Sequence, residues 1–265
     1  MEESGVVHEI FGFALAKDMI LVYWERGCWS EVGRQGELQL ISLGEGCEQI
    51  GTAAHEIGHA LGLWHTQGRY DRDKFVTIVR ENINETYIEQ FTKETRKTNN
   101  NYNLTYDYGS IMHYGARSGA TDKAEENGNL TVVPKIAKYT ETLGSHIIAF
   151  YDLLMINTHY NCTGLCKGVP TKCYNGGFAH PRDCSKCICP SGYGGKFCSK
   201  RPTGCGGVLR ARRQWQMLEG NLNGSEVGLD GYRRCNYWIK VYLLNGINKE
   251  RIIGAMAVQH LYTPR

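Results

Sequence analysis

The chain has 265 residues, of which 42% are hydrophobic, and its formal net charge is +3. This length accommodates one large core or several small domains, and the composition is ordinary for a globular protein. The small net charge and the lack of a long basic run argue against nucleic acid or a membrane surface as the partner.

Eleven cysteines distinguish the chain from an ordinary cytosolic enzyme. Eight of them fall between Cys162 and Cys205, which indicates a disulfide-rich module and an oxidising compartment. Five N-x-S/T sequons agree with a secreted glycoprotein, at Asn84, Asn103, Asn129, Asn161 and Asn223. We therefore expect a secreted, extracellular protein with no membrane span.

The first residues do not fit this picture. The start MEESGVVHEIFGFALAK is acidic and has only a short apolar run, whereas a signal peptide begins with basic residues and has a longer one. We therefore treat residues 1–16 as an atypical segment and expect that the chain lacks its original beginning.

In chain order, the first predicted elements are strands and a helix. The apolar run MILVYW, residues 19–24, predicts a buried strand, and ELQLISL, residues 37–43, alternates as a half-exposed strand does. Apolar residues at helical spacing then predict a helix that ends at Gly62; they are Ile50, Ala53, Ala54, Ile57, Ala60 and Leu61.

The later part of the chain predicts helices, a loop and strands in turn. A second helical stretch begins near Asn82, residues 98–108 resemble a loop, and HIIAFYDLLMINTHY predicts a last helix before Cys162. From Cys166 to Cys198 the chain has no helical period, so disulfides must stabilise it. The pieces WIKVYLL and RIIGAMAV then predict strands.

The predicted first helix carries the pattern H-E-x-x-H-x-x-G-x-x-H. His55 and His59 are four residues apart, so both side chains lie on one helix face and can reach one metal ion. Gly62 allows the chain to reverse and return His65 to the same ion. Three histidines leave one coordination position open, which is typical of a catalytic zinc site, and Glu56 fits the general base. The alternative is that the histidines are ordinary helix residues.

Downstream, SIMHYG places Met112 and Tyr114 in a hexapeptide typical of the methionine turn of metzincin proteases. Together with HEIGHALGLWH and RYDRD, it makes residues 17–163 resemble the astacin family of zinc endopeptidases. The resemblance implies an α+β metzincin-type protease domain, incomplete at its amino end, with one Zn²⁺ bound by His55, His59 and His65. It also implies that Glu56 is the catalytic base and that Tyr114 is a further zinc ligand that can swing to stabilise the oxyanion. The segment GELQLISL would be the edge strand to which a substrate peptide adds.

Two departures from the family are visible. Thr66 stands where the family usually has a glutamate that meets the mature amino terminus, so this maturation contact is not expected here. The strands and helix that precede MILVYW in the family are also missing.

The cysteines extend the resemblance beyond the protease domain. Residues 164–200 resemble an epidermal-growth-factor-like (EGF-like) module, and residues 203–265 resemble an incomplete all-β CUB-like domain. The resemblance implies the disulfides Cys28–Cys47, Cys166–Cys184, Cys173–Cys187, Cys189–Cys198 and Cys205–Cys235. Cys162 then remains unpaired, as expected if its partner lay in the missing stretch.

Together these features predict a secreted zinc metalloendopeptidase that hydrolyses peptide bonds of extracellular proteins. Its two C-terminal modules would contact protein partners, and neither nucleic acid nor a membrane is expected to bind. The alternative is an extracellular binding protein with a truncated, inactive protease domain. A structural zinc protein is disfavoured because the three-histidine site is open.

Overall fold

The computed structural model describes residues 17–212, 214, 217, 232–242 and 250–260. The predicted segment 1–16 lies outside these residues, as does part of the predicted CUB-like domain. The chain divides into two compact units, Met1–Leu63 and Trp64–Arg265. In the described residues, no helix is long and apolar enough to cross a membrane.

The first unit contains a three-stranded sheet and the helix α1. Its strands are β1 (Met19–Tyr23), β2 (Cys28–Ser30) and β3 (Leu38–Leu43), and α1 is Ile50–Ala60. The sheet order is β1-β3-β2, with β1 parallel and β2 antiparallel to β3. The disulfide Cys28–Cys47 closes the loop that contains β2 and β3.

Two expectations about this sheet are wrong. The predicted edge strand, GELQLISL, contains β3, which lies in the centre and is hydrogen-bonded on both sides, so it cannot accept a substrate strand. The predicted buried strand β1 is instead exposed along its middle, since Leu21 is 43% and Val22 is 54% exposed. The described residues pair β1 with β3 alone, which makes it an edge strand there.

The second unit begins with the rest of the region that resembles a protease. It contains a two-stranded antiparallel sheet formed by β4 (Val76–Ile78) and β5 (Val132–Pro134). The helix α2 (Asp122–Glu126) lies between these strands in the chain, and α3 (Phe150–His159) comes after them. The core of this part consists of eight buried residues, namely Val76, Ile83, Phe91, Tyr106, Tyr108, Ala116, Val132 and Leu143.

The second predicted helix is not an α-helix. The structure has two short 3₁₀ helices there, Arg80–Asn82 and Glu85–Phe91. The side chain of Asn84 accepts a hydrogen bond from the backbone N–H of Thr86 at 3.0 Å and so caps the second of them. Asn84 therefore separates the two short helices, and its cap starts the second of them.

The cysteine-rich part has little regular structure. It contains the hairpin β6 (Phe178–His180) and β7 (Asp183–Ile188), and three disulfides hold it, Cys166–Cys184, Cys173–Cys187 and Cys189–Cys198. A sheet follows with the order β10-β9-β8, formed by β8 (Gly206–Arg210), β9 (Tyr232–Tyr242) and β10 (Glu250–His260). The disulfide Cys205–Cys235 closes the loop between β8 and β9, and Cys162 is free.

Candidate zinc centre

The end of α1 directs the chain toward the third histidine of the motif. The backbone N–H groups of Gly62 and Leu63 donate to the carbonyls of His59 and Gly58 at 2.8 and 2.9 Å. Gly62 has φ +96°, a left-handed conformation that a side chain would disfavour. This pair of bonds is a Schellman motif, which satisfies the last carbonyls of the helix while reversing the chain.

The reversal brings the three predicted ligands together. One nitrogen atom from each of His55, His59 and His65 lies within 4.8 Å of the other two. His59 is 6% exposed, and its Nδ1 donates to the carbonyl of Leu63 at 2.8 Å. Because a carbonyl can only accept, Nδ1 carries the proton and Nε2 keeps the lone pair that binds a metal.

Burial sets the protonation of two groups on α1. It lowers the pKa of His59 to about 4, with a smaller contribution from His55, so the imidazole is neutral as a ligand must be. Burial raises the pKa of the Glu56 carboxyl to about 7, and the residue is 5% exposed. A carboxyl that titrates near neutral pH suits a general base.

The hexapeptide SIMHYG folds against the residue that follows the third histidine. The carbonyl of Met112 accepts a hydrogen bond from the backbone N–H of Thr66 at 2.9 Å, and the Met112 side chain is 2% exposed. The ring centroids of His65 and Tyr114 are 4.4 Å apart. The predicted methionine and tyrosine therefore lie beside the third predicted ligand.

Tyr114 is held in position by two residues that were not expected from the sequence. The side-chain oxygen of Gln67, a fully buried residue, accepts a hydrogen bond from the backbone N–H of Tyr114 at 3.0 Å. Phe91 packs edge-on against the Tyr114 ring at 5.6 Å between centroids. Gln67 lies two residues beyond the last histidine, and this closeness to the motif is the one feature of the sequence that could have indicated its role.

Thr66 begins a buried chain of hydrogen bonds. Its hydroxyl donates to Ser110 Oγ at 2.9 Å, and Ser110 donates in turn to Asp152 Oδ1 at 2.6 Å. Asp152 Oδ2 also accepts the backbone N–H groups of Ile111 and Ala149, each at 2.9 Å. These hydrogen bonds connect the methionine turn to the start of α3. Thr66 contributes an uncharged hydroxyl to them.

A cavity of about 420 Å³ lies beside Tyr114. Tyr87, Gly119, Arg117 and Glu125 are among the residues that line it. The cavity therefore offers a positive and a negative group to a side chain that enters next to Tyr114.

The donor set fits zinc. Three imidazoles converge, one of them is oriented by a carbonyl, and a buried carboxyl follows the first in sequence. Three nitrogen ligands with an open position are typical of catalytic zinc in proteins.

Comparisons with known proteins agree with this chemistry. Residues 12–161 match the family model Astacin, which is described as a peptidase family. The chain is 49% identical over 227 residues to zinc metalloproteinase nas-31 of Caenorhabditis elegans, covering 85% of this chain and 36% of that protein. It is 44% identical over 218 residues to zinc metalloproteinase nas-32 of the same organism, covering 81% of this chain and 32% of the relative. The chain thus spans about a third of the length of these relatives.

One solved structure extends the likeness to the fold. It is high choriolytic enzyme 1, a hatching enzyme zinc-protease from the medaka fish Oryzias latipes, with a TM-score of 0.51 and 36% sequence identity. The match covers 56% of this chain and 72% of that one.

Proposed function

The chain belongs to the astacin family of zinc-dependent peptidases, and from this premise we propose that it is a secreted endopeptidase acting on extracellular proteins. The observation that carries the proposal is the convergence of His55, His59 and His65 within 4.8 Å. The five disulfides support an oxidising, extracellular location.

In the proposed site, the three histidines hold one zinc ion. When bound, zinc supplies a Lewis acid that polarises the scissile carbonyl and makes a water molecule more acidic. Glu56 accepts a proton from the attacking water and later passes it to the leaving amine. Burial raises the pKa of this carboxyl, which makes it a stronger base than an exposed carboxylate.

Tyr114 is proposed to stabilise the developing oxyanion with its phenol O–H. Gln67 and Phe91 fix its backbone and its ring, as described above.

We place the substrate strand on β2 rather than on β3. Within the described residues, β2 is hydrogen-bonded to β3 on one side and has no strand on the other. A peptide that added there would be held by backbone hydrogen bonds, so its sequence would matter mainly through side-chain pockets. We propose separately that the cavity beside Tyr114, which Arg117 and Glu125 help to line, accepts one substrate side chain.

We also propose that residues 164–200 form an EGF-like module and that residues 203–265 belong to a CUB-like domain, both contacting protein partners. The disulfides Cys166–Cys184, Cys173–Cys187 and Cys189–Cys198 join first to third, second to fourth and fifth to sixth cysteine, which supports the first assignment. The β8–β9–β10 sheet with its Cys205–Cys235 bond supports the second.

Hydrolysis of a mixed peptide library by the chain and by Glu56→Gln tests the activity. We expect Glu56→Gln to retain zinc and to lose about 10²- to 10⁴-fold in rate, because the general base is removed while the ligands remain. Glu89→Gln, a change of the same kind at an exposed residue, should hydrolyse peptides at the original rate.

Equal rates for the chain and for Glu56→Gln would contradict the proposed mechanism. A chain that binds zinc but hydrolyses no peptide would favour the alternative, an extracellular binding protein with an inactive protease domain.

A further inference from the structure

Charge is distributed very unevenly along this chain. Residues 1–165 contain 14 lysines and arginines and 22 aspartates and glutamates, a formal charge of −8. Residues 166–265 contain 16 basic and 5 acidic residues, a formal charge of +11. The net charge of +3 conceals this division, which falls where the region resembling a protease ends.

The positive charge lies at the surface of the cysteine-rich part. Between residues 166 and 212 there are nine basic residues and one acidic residue. Eight of the nine are exposed, namely Lys167, Lys172, Arg182, Lys186, Lys196, Lys200, Arg210 and Arg212. The acidic residue, Asp183, forms an ion pair with Lys186 at 3.4 Å. A charge of +8 therefore remains on this short segment.

Three of these lysines lie on neighbouring backbone segments. The backbone N–H of Cys187, next to Lys186, donates to the carbonyl of Lys196 at 2.9 Å. Gly194 and Lys200 exchange two backbone hydrogen bonds, of 2.7 and 3.2 Å. The disulfides Cys173–Cys187 and Cys189–Cys198 hold the same segments. We refer to Lys186, Lys196 and Lys200 as the lysine cluster.

The cysteine-rich part is held against the following sheet, which carries further basic residues. The guanidinium of Arg201, next to the cluster, donates to the carbonyls of Cys205 and Asn236 at 3.0 and 3.2 Å. Trp238 on β9 donates its indole N–H to the carbonyl of Gly192 at 2.8 Å. These contacts fix the cysteine-rich part against β8 and β9, where Arg210 pairs in register with Lys240.

We propose that this surface binds a sulfated polysaccharide. Disulfide-bonded proteins function in oxidising compartments, where a linear polyanion of this chemistry can meet them. The described part of residues 166–240 has strands and lacks an amphipathic helix, the element by which basic proteins commonly lie on membranes. Lysines fixed on separate short segments can each meet a different sulfate of one extended chain. The inference is independent of catalysis.

The experiment is chromatography of the whole chain on immobilised heparin, followed by titration with soluble heparin. We expect retention at about 0.15 M salt and elution by a salt gradient, since ionic attraction is screened as salt rises. Neutralising the lysine cluster with Lys186→Ala, Lys196→Ala and Lys200→Ala should weaken binding about tenfold, because each exposed ion pair contributes modestly and three are removed together.

A matched control carries Lys97→Ala, Lys123→Ala and Lys138→Ala, which remove three exposed charges from the acidic part of the chain. The control should bind as the original chain does, and Glu56→Gln should too, so a failed protease assay leaves this test intact. An unchanged free-thiol count will show that the cluster variant keeps its disulfides.

Three outcomes would overturn the proposal: no retention on heparin, equal weakening in the control, or no weakening in the cluster variant. Tighter binding to single-stranded DNA, or to vesicles containing phosphatidylserine, would do the same by identifying another class of partner.

Discussion

Residues 64–161 and residues 166–200 are stabilised in different ways. The first segment contains no cysteine and is built on buried apolar side chains, of which Val76, Phe91 and Val132 are at most 1% exposed. In the second, Cys166 and Cys198 are the buried hydrophobic residues, and three disulfides link its strands and loops. We call them the core-built and the disulfide-built segments.

The difference separates two tasks. A packed core holds the methionine turn, Tyr114 and Asp152 in fixed positions, as a catalytic site requires. A short cross-linked segment needs little apolar interior, so nearly all of its side chains remain at the surface for binding. The charges differ as well, since residues 64–161 have a formal charge of −1 and residues 166–200 have one of +5.

The largest effect should come from the apolar core. Phe91→Ala removes a ring that is 1% exposed, and we expect the free energy of unfolding of the core-built segment to fall by about 3 to 5 kcal/mol. Phe197→Ala, at a residue 38% exposed in the disulfide-built segment, should cost much less. Hydrogen exchange resolved by peptide measures both segments in one experiment, and equal losses would remove the distinction between them.

The next effect should come from the cross-links. The double variant Cys173→Ser and Cys187→Ser opens a loop of 14 residues, and we expect a loss of about 3 kcal/mol. Faster hydrogen exchange should be confined to residues 166–200. Cys162→Ser, at the free cysteine, is the control and should change nothing. Faster exchange throughout residues 64–161 would show that the core-built segment depends on this bond.

A smaller effect should follow from Thr66. Thr66→Val keeps the shape of the side chain but removes the donor to Ser110, and one buried hydrogen bond is worth about 1 kcal/mol. Thr66→Ser keeps the hydroxyl and should remain close to the original stability. Unfolding by urea compares the three proteins. If Val and Ser behave alike, the hydroxyl does not join the methionine turn to α3.

The smallest effect concerns Asp107, a half-buried carboxyl in the core-built segment. Burial raises its pKa above the unfolded value, so the fold resists ionisation there. Its contribution to stability is therefore full below the unfolded pKa and is lost as pH rises through the folded pKa. Asp107→Asn can still accept the Gly109 N–H. We expect the unfolding midpoint of Asp107→Asn to rise relative to that of the original chain as pH increases above about 4, and parallel curves would contradict this.

Local features of the site could be predicted from the sequence. The spacing of His55 and His59 and the position of Gly62 depend on one helix and its end, so a short stretch of sequence contains the information. The sheet could not be predicted in the same way, because the central place of β3 is set by its pairing with β1 and β2. The chain from Thr66 through Ser110 to Asp152 joins residues 44 and 42 positions apart, and no local pattern marks it.

Zinc titration of the metal-stripped chain tests the central claim most directly. With hydrolysis of a peptide substrate as the readout, we predict that activity rises in proportion to added zinc and reaches a plateau at about one equivalent, because one site is formed by His55, His59 and His65. His59→Asn should bind zinc far more weakly and remain inactive. Hydrolysis that is independent of zinc, or zinc binding to the three histidines without hydrolysis, would contradict the account.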